Sequence, residues 1–185
     1  MRRRVIWGLM LAANLAAGGY GASADQSDPR LLTLFERLQA GEPAQARSAE
    51  KAIWSIWLET EDRDVEALMS LALGHMGEGE LEEAIGVLDA AITRAPGFAE
   101  AWNKRATAHF LNRNYAASVS DIYRTLELEP RHFGAISGLG LIFLQRNDLP
   151  AALEAFERVL VIYPHARGAQ SHVKHIKRRL IGRSV

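Results

Sequence analysis

The stretch FAEAWNKRATAHF, residues 98–110, gathers Glu100, Asn103, Lys104, Arg105, Thr107 and His109 with Trp102 and two phenylalanines in 13 residues. Those are the side chains an active site or a ligand pocket would use. They are equally the polar residues of an ordinary helix that braces a fold. His75 and His109 raise the separate question of a metal, but two imidazoles without a third ligand or a supporting shell make a weak site. The sequence has no HExxH and no GxSxG, and it contains no cysteine, so a thiol nucleophile is excluded. Gly138-Leu139-Gly140 lies inside a helical pattern, where close packing rather than phosphate binding explains it.

What positions these residues is a period. Pro96, Pro130 and Pro164 are spaced by 34 residues, and so are Ala67, Ala101 and Ala135. The same step aligns Leu68, Trp102 and Ile136, then the small residues Ala72, Ala106 and Gly140. It also aligns Ala84, Ser118 and Ala152, and the large apolar Leu88, Ile122 and Phe156. Each unit carries two helical periods, such as Trp102, Ala106, His109 followed by Ser118, Ile122, Thr125. Turn residues separate them: Gly77-Glu78-Gly79, Asn112-Arg113-Asn114, and Asn147-Asp148 ahead of Pro150. Glycine and asparagine tolerate the left-handed backbone that ends a helix, and Pro150 suits a first helical position.

These residues resemble the tetratricopeptide repeat. The family pattern places a small residue four after an aromatic or apolar one, a second small residue in the next helix, and a proline at the end of the unit. AEAWNKRATAHFLNRNYAASVSDIYRTLELEP, 99–130, follows it closely, and the resemblance covers 65–166. It departs locally: His75 and His109 stand where tyrosine is usual, and Arg105 where leucine is commoner. The resemblance implies an all-α, right-handed superhelical stack of helix-turn-helix units at 65–98, 99–132 and 133–166. A single helix pair cannot bury its apolar face, so units must stack. Residues 25–64 read as a degenerate opening pair extending the stack upstream, with Trp54 and Trp57 level with Leu88 and Ala91 and IWSIW as buried core. Residues 167–185 read as a capping helix, with His172 on its solvated face.

The quoted stretch then divides by helical face. Trp102, Ala106 and His109 turn toward the partner helix; Glu100, Asn103, Thr107 and Phe110 share the neighbouring face. The resemblance makes that second face the concave groove, where proteins of this family bind extended peptides or helices. The 34-residue step extends it to Glu66, Met69, Leu73 and Met76 in the first unit. In the third unit it reaches Gly134, Ser137, Leu141 and Leu144, and Phe35 extends it upstream. The stripe is mostly apolar, which marks a contact surface unless the terminal helix or opening pair covers it. A terminal-carboxylate grip of the family's best-known kind is not expected, because Asn103 alone on the stripe has a suitable side chain. Arg105 occupies a position that is normally packed, and Asp121 lies 16 residues on. A structural Arg105–Asp121 ion pair is expected, since a packed charge must be paired.

The chain starts with MRRR, an apolar run VIWGLMLAANLAA, and small residues ending Ala22-Ser23-Ala24. That order reads as a cleavable export signal, cut after Ala24, and the run is shorter than the roughly 20 residues of a spanning helix. Cleavage would leave 19 basic and 22 acidic residues, against the basic excess of a nucleic-acid binder. The expectation is a non-enzymatic periplasmic or secreted scaffold binding a protein or peptide. It involves no metal, no cofactor, no small-molecule substrate and no nucleic acid. The rival reading is a structural protein that assembles on itself or on the cell envelope through its ends, with the basic Lys174–Arg183 stretch touching anionic lipid.

Overall fold

The computed structural model describes Gln26 and residues 28–182, so the expected signal at 1–24 lies outside the described residues. Among the described residues there are nine helices and no strand. They are α1 (Arg30–Ala40), α2 (Pro43–Leu58), α3 (Arg63–Glu78), α4 (Leu81–Arg94), α5 (Ala99–Leu111), α6 (Tyr115–Leu128), α7 (Phe133–Gln145), α8 (Leu149–Ile162) and α9 (Arg167–Ile181). No described helix is long and apolar enough to cross a membrane.

Local signals set the helix ends. Asp62, Asn114, His132 and Asp148 cap α3, α6, α7 and α8, each side chain accepting from backbone N–H groups of the first turn. The turn inside each repeat needs one left-handed residue, and Gly79, Arg113 and Asn147 supply it at the 34-residue step, with φ of 82°, 60° and 55°. In the middle unit the residue is Arg113 rather than a neighbouring asparagine.

The small residues do what their spacing implies. Ser118 Oγ donates to the Ala106 carbonyl at 2.7 Å, so α5 and α6 approach closely. At Gly140 an added Cβ would lie 2.7 Å from the Phe156 ring, which fills the gap between α7 and α8. The pairs α3–α4, α5–α6 and α7–α8 pack in series, and α9 packs on α8 through Ala169 and Ile176. His172 is not on a solvated face: it stacks on Phe156 at 4.4 Å. Burial, with His175 nearby, lowers its pKa below the ordinary 6.5.

The opening pair departs from its expected place. α1 and α2 do form, and Ile53, Ile56 and Trp57 are buried. They do not stack on α3 as an upstream repeat. Instead they run along the edge made by the turns between repeats. Gln26 donates to the Gly97 carbonyl, Gln39 to the Val161 carbonyl, and Tyr163 to Glu50. Phe35, expected in the groove, is buried with Arg131 4.1 Å above its ring. Trp54 and Trp57 accordingly meet His132 and Phe133 rather than lying level with Leu88 and Ala91. The cause is local chemistry: the turn before α7 presents an aromatic platform that two tryptophans three residues apart on α2 can cover.

Candidate functional site

Arg105 and Asp121 meet across the α5–α6 pair. The guanidinium donates from Nε at 2.8 Å and from Nη2 at 2.6 Å to the two carboxylate oxygens, a bidentate pair. Its remaining arm donates to Asp89 on α4 at 2.6 Å, and the guanidinium lies 4.9 Å over the Trp102 ring. Arg105 therefore ties three successive helices, and the Asp121 hydrogen bonds raise its pKa against the opposing effect of burial. His109 lies 3.8 Å from the same Asp121. His75 is engaged elsewhere, 2.6 Å from Glu80. Glu78 also brings a ligand atom within 4.8 Å of that pair, but the two carboxylates are exposed and the hydrogen bond accounts for the cluster.

The expected groove divides into a covered half and an open half. Glu100 and Asn103 are 1% and 6% exposed, so they are not free to meet a partner. Glu100 Oε2 accepts from Asn103 at 3.1 Å and from His132 Nε2 at 2.9 Å. His132 Nδ1 accepts from the Ala135 amide at 3.1 Å, which leaves Nε2 as the donor to Glu100. Lys104 Nζ lies 2.8 Å from Glu100 Oε1 as an ion pair without hydrogen-bond alignment. Burial works against the charge on Glu100, but His132 and then Lys104 outweigh it and hold the carboxyl below its ordinary 4.5. Trp57 stacks flat on His132 at 4.1 Å, and Lys104 sits 5.3 Å over the Trp54 ring. Trp54 also fills the space at Gly134, where an added Cβ would lie 2.6 Å from the indole.

The open half belongs to α3, α5 and α7. Leu73 is 40% exposed. Thr107 is exposed, and Met76, Phe110, Ser137, Leu141 and Leu144 are half-buried. Met69 is buried under this surface rather than displayed on it. A cavity of about 140 Å³ opens between α5 and α7, lined by Thr107, Phe110, Ile122, Gly138 and Leu141 among others. The hydroxyls of Thr107 and Ser137 are spent on the Asn103 and Phe133 carbonyls, so the walls offered to a ligand are mainly apolar.

The role of His132 was not legible beforehand. Its contact with Glu100 spans 32 residues, off the 34-residue register, and it depends on a helix that does not stack where the register puts it.

The tetratricopeptide repeat model matches residues 69–131 and 122–167. A TPR repeat-containing protein of Rhizobium etli is 38% identical over 154 residues, which is 83% of this chain and 76% of that one. The chain therefore belongs to the tetratricopeptide repeat family and is an all-α helical repeat solenoid. The PEX5-related protein of Mus musculus is 32% identical over 85 residues, but those span 46% of this chain and 15% of that protein. Among solved structures, the first TPR of Spaghetti (RPAP3) bound to the HSP90 peptide SRMEEVD superposes with a TM-score of 0.62. It is 22% identical, covering 66% of this chain and 97% of that one. The Yersinia enterocolitica type III secretion chaperone SycD, in complex with a peptide of the translocator YopD, has a TM-score of 0.60 at 14% identity, covering 64% of this chain and 99% of that one.

Proposed function

We propose that this protein is a non-catalytic interaction module whose open half-groove binds a protein segment, as an extended peptide or a helix, through apolar side chains. The observation that carries the reading is the stripe Leu73, Met76, Phe110, Leu141 and Leu144, with the 140 Å³ cavity at its centre. A cavity of that size suits one large aliphatic side chain as an anchor. Two neighbours of the same fold hold peptides, which supports a peptide-sized ligand. A terminal carboxylate fits this groove poorly. Asn103 is committed to Glu100, Lys104 is neutralised by Glu100, and Arg105 already serves two aspartates. Affinity near micromolar, about −8 kcal/mol, is ordinary for two or three apolar anchors.

The test compares crosslinked partners of the native protein with those of a Met76→Ser/Phe110→Ser/Leu141→Asn variant, both purified from the producing cell. The native protein should retain a partner that the variant loses at least tenfold. Equal recovery by both, with unchanged melting of the variant, would refute the groove. The rival reading keeps the exposed Lys174 and Arg178 of α9 as its support, while Lys177 and Arg179 are already held by Glu157 and Asn147.

We place the module in the periplasm or outside the cell, on the strength of the basic, apolar and small-residue order of 1–24. The protein isolated from cells should begin at Asp25. An intact Met1 on protein recovered from the cytoplasmic fraction would overturn that placement.

A further inference from the structure

The covered half of the groove holds a ligand that the chain itself provides. α2 lays Trp54 and Trp57, three residues apart on one helical face, against Lys104, His132, Phe133 and Gly134. Every part of that seat is shaped for an aromatic pair. Gly134 leaves room for one indole, His132 offers a flat surface to the other, and Lys104 sits over a ring face. In the 34-residue register Gly134 and Glu100 are concave-face positions, so the seat continues the open stripe.

Three observations indicate that this occupancy is one of two arrangements. The Trp57 Nε1 is buried without a hydrogen-bond partner among the described residues, a penalty relieved when α2 leaves. The link between α2 and α3, residues 59–62, has the same four-residue length as the other three links between successive repeats, 95–98, 129–132 and 163–166. The edge of α3 where a preceding repeat would stack is bare: Leu71 is 51% exposed, while Arg105 and Leu139 at the same register are packed. The opening pair therefore has a second place to go, on the end of the stack.

We propose that the seat formed by Lys104, His132, Phe133 and Gly134 is a receptor for an amphipathic helix carrying tryptophans three residues apart. α2 is its built-in occupant, and a partner helix of the same chemistry competes with α2. The proposal rests on the interaction-module reading and extends it to the covered half of the groove. An intramolecular occupant acts at an effective concentration in the millimolar range, so the free site should be seen only when α2 is weakened.

The probe is a fluorescein-labelled peptide of residues 43–58, titrated by anisotropy against the full chain and against the full chain carrying Trp54→Ala and Trp57→Ala. The substituted chain should bind the peptide at least tenfold more tightly than the native chain. The same peptide with both tryptophans replaced by alanine should not bind. Adding Gly134→Leu to the substituted chain should abolish binding by filling the seat, and a thermal melt reports whether each variant stays folded. Equal binding by native and substituted chains would overturn the proposal, as would binding that survives Gly134→Leu, or its absence from a folded substituted chain. None of these outcomes touches the open stripe, which the Met76/Phe110/Leu141 variant tests separately.

Discussion

Replacing His132 with alanine should destabilise the protein by about 3 kcal/mol or more. The substitution takes a neutral imidazole donor from a buried carboxylate, and leaving such a group short of a hydrogen bond costs about 1–3 kcal/mol. It also removes the acceptor that caps α7, worth about 1 kcal/mol, and the surface on which Trp57 stacks. His132→Asn can restore the cap alone, so it should recover only about that last 1 kcal/mol. Urea unfolding of the three proteins measures this directly, and similar midpoints for native and alanine forms would refute the arrangement.

The same site sets a pH dependence. The Glu100 carboxyl lies lower in the folded chain than its ordinary 4.5. Its stabilising contribution is therefore complete above that value and is lost as pH falls through the folded-state value. Urea midpoints should drop on acidification below about pH 4.5, and Glu100→Gln should flatten that part of the profile.

Arg105→Ala should cost about 3 kcal/mol, because it leaves Asp121 buried without its bidentate partner. Lysine cannot reproduce the fork or reach Asp89 and Asp121 together, so Arg105→Lys should recover little of the loss. If the pair is the cause, Arg105→Ala/Asp121→Ala should lose less than the two single losses added together. Strict additivity in that cycle would show that the stability comes from something other than the pair. Asn103→Ala also acquires a stability cost, about 2 kcal/mol for a buried hydrogen bond to a carboxylate, where the helical face alone assigned Asn103 to the groove.

The repeats were legible because their packing is periodic. A small residue is needed wherever two helices close up, and Ala106 opposite Ser118 answers that need at the same step as Gly140 opposite Phe156. The Arg105–Asp121 pair was legible for a related reason: both residues sit at fixed positions of adjacent helices in one unit. What the sequence could not disclose was where α1 and α2 would dock. Their spacing is that of another repeat, and the link 59–62 allows stacking as readily as folding back. The choice is made by side chains far apart in sequence, Trp57 with His132 and Glu50 with Tyr163. That docking hides Glu100 and Asn103, which the helical face alone assigned to a partner. His172 was misjudged in the same way, since helix periodicity does not show that Phe156 extends to meet it.

The most direct test of the interaction-module account is site-specific photocrosslinking in the producing cell, with a benzophenone amino acid at Thr107 beside the open cavity or at the exposed Tyr123 on α6. The account predicts a discrete protein adduct from position 107 that disappears with Leu141→Asn and is absent from position 123. Adducts of equal yield from both positions, or from position 107 irrespective of Leu141, would contradict it.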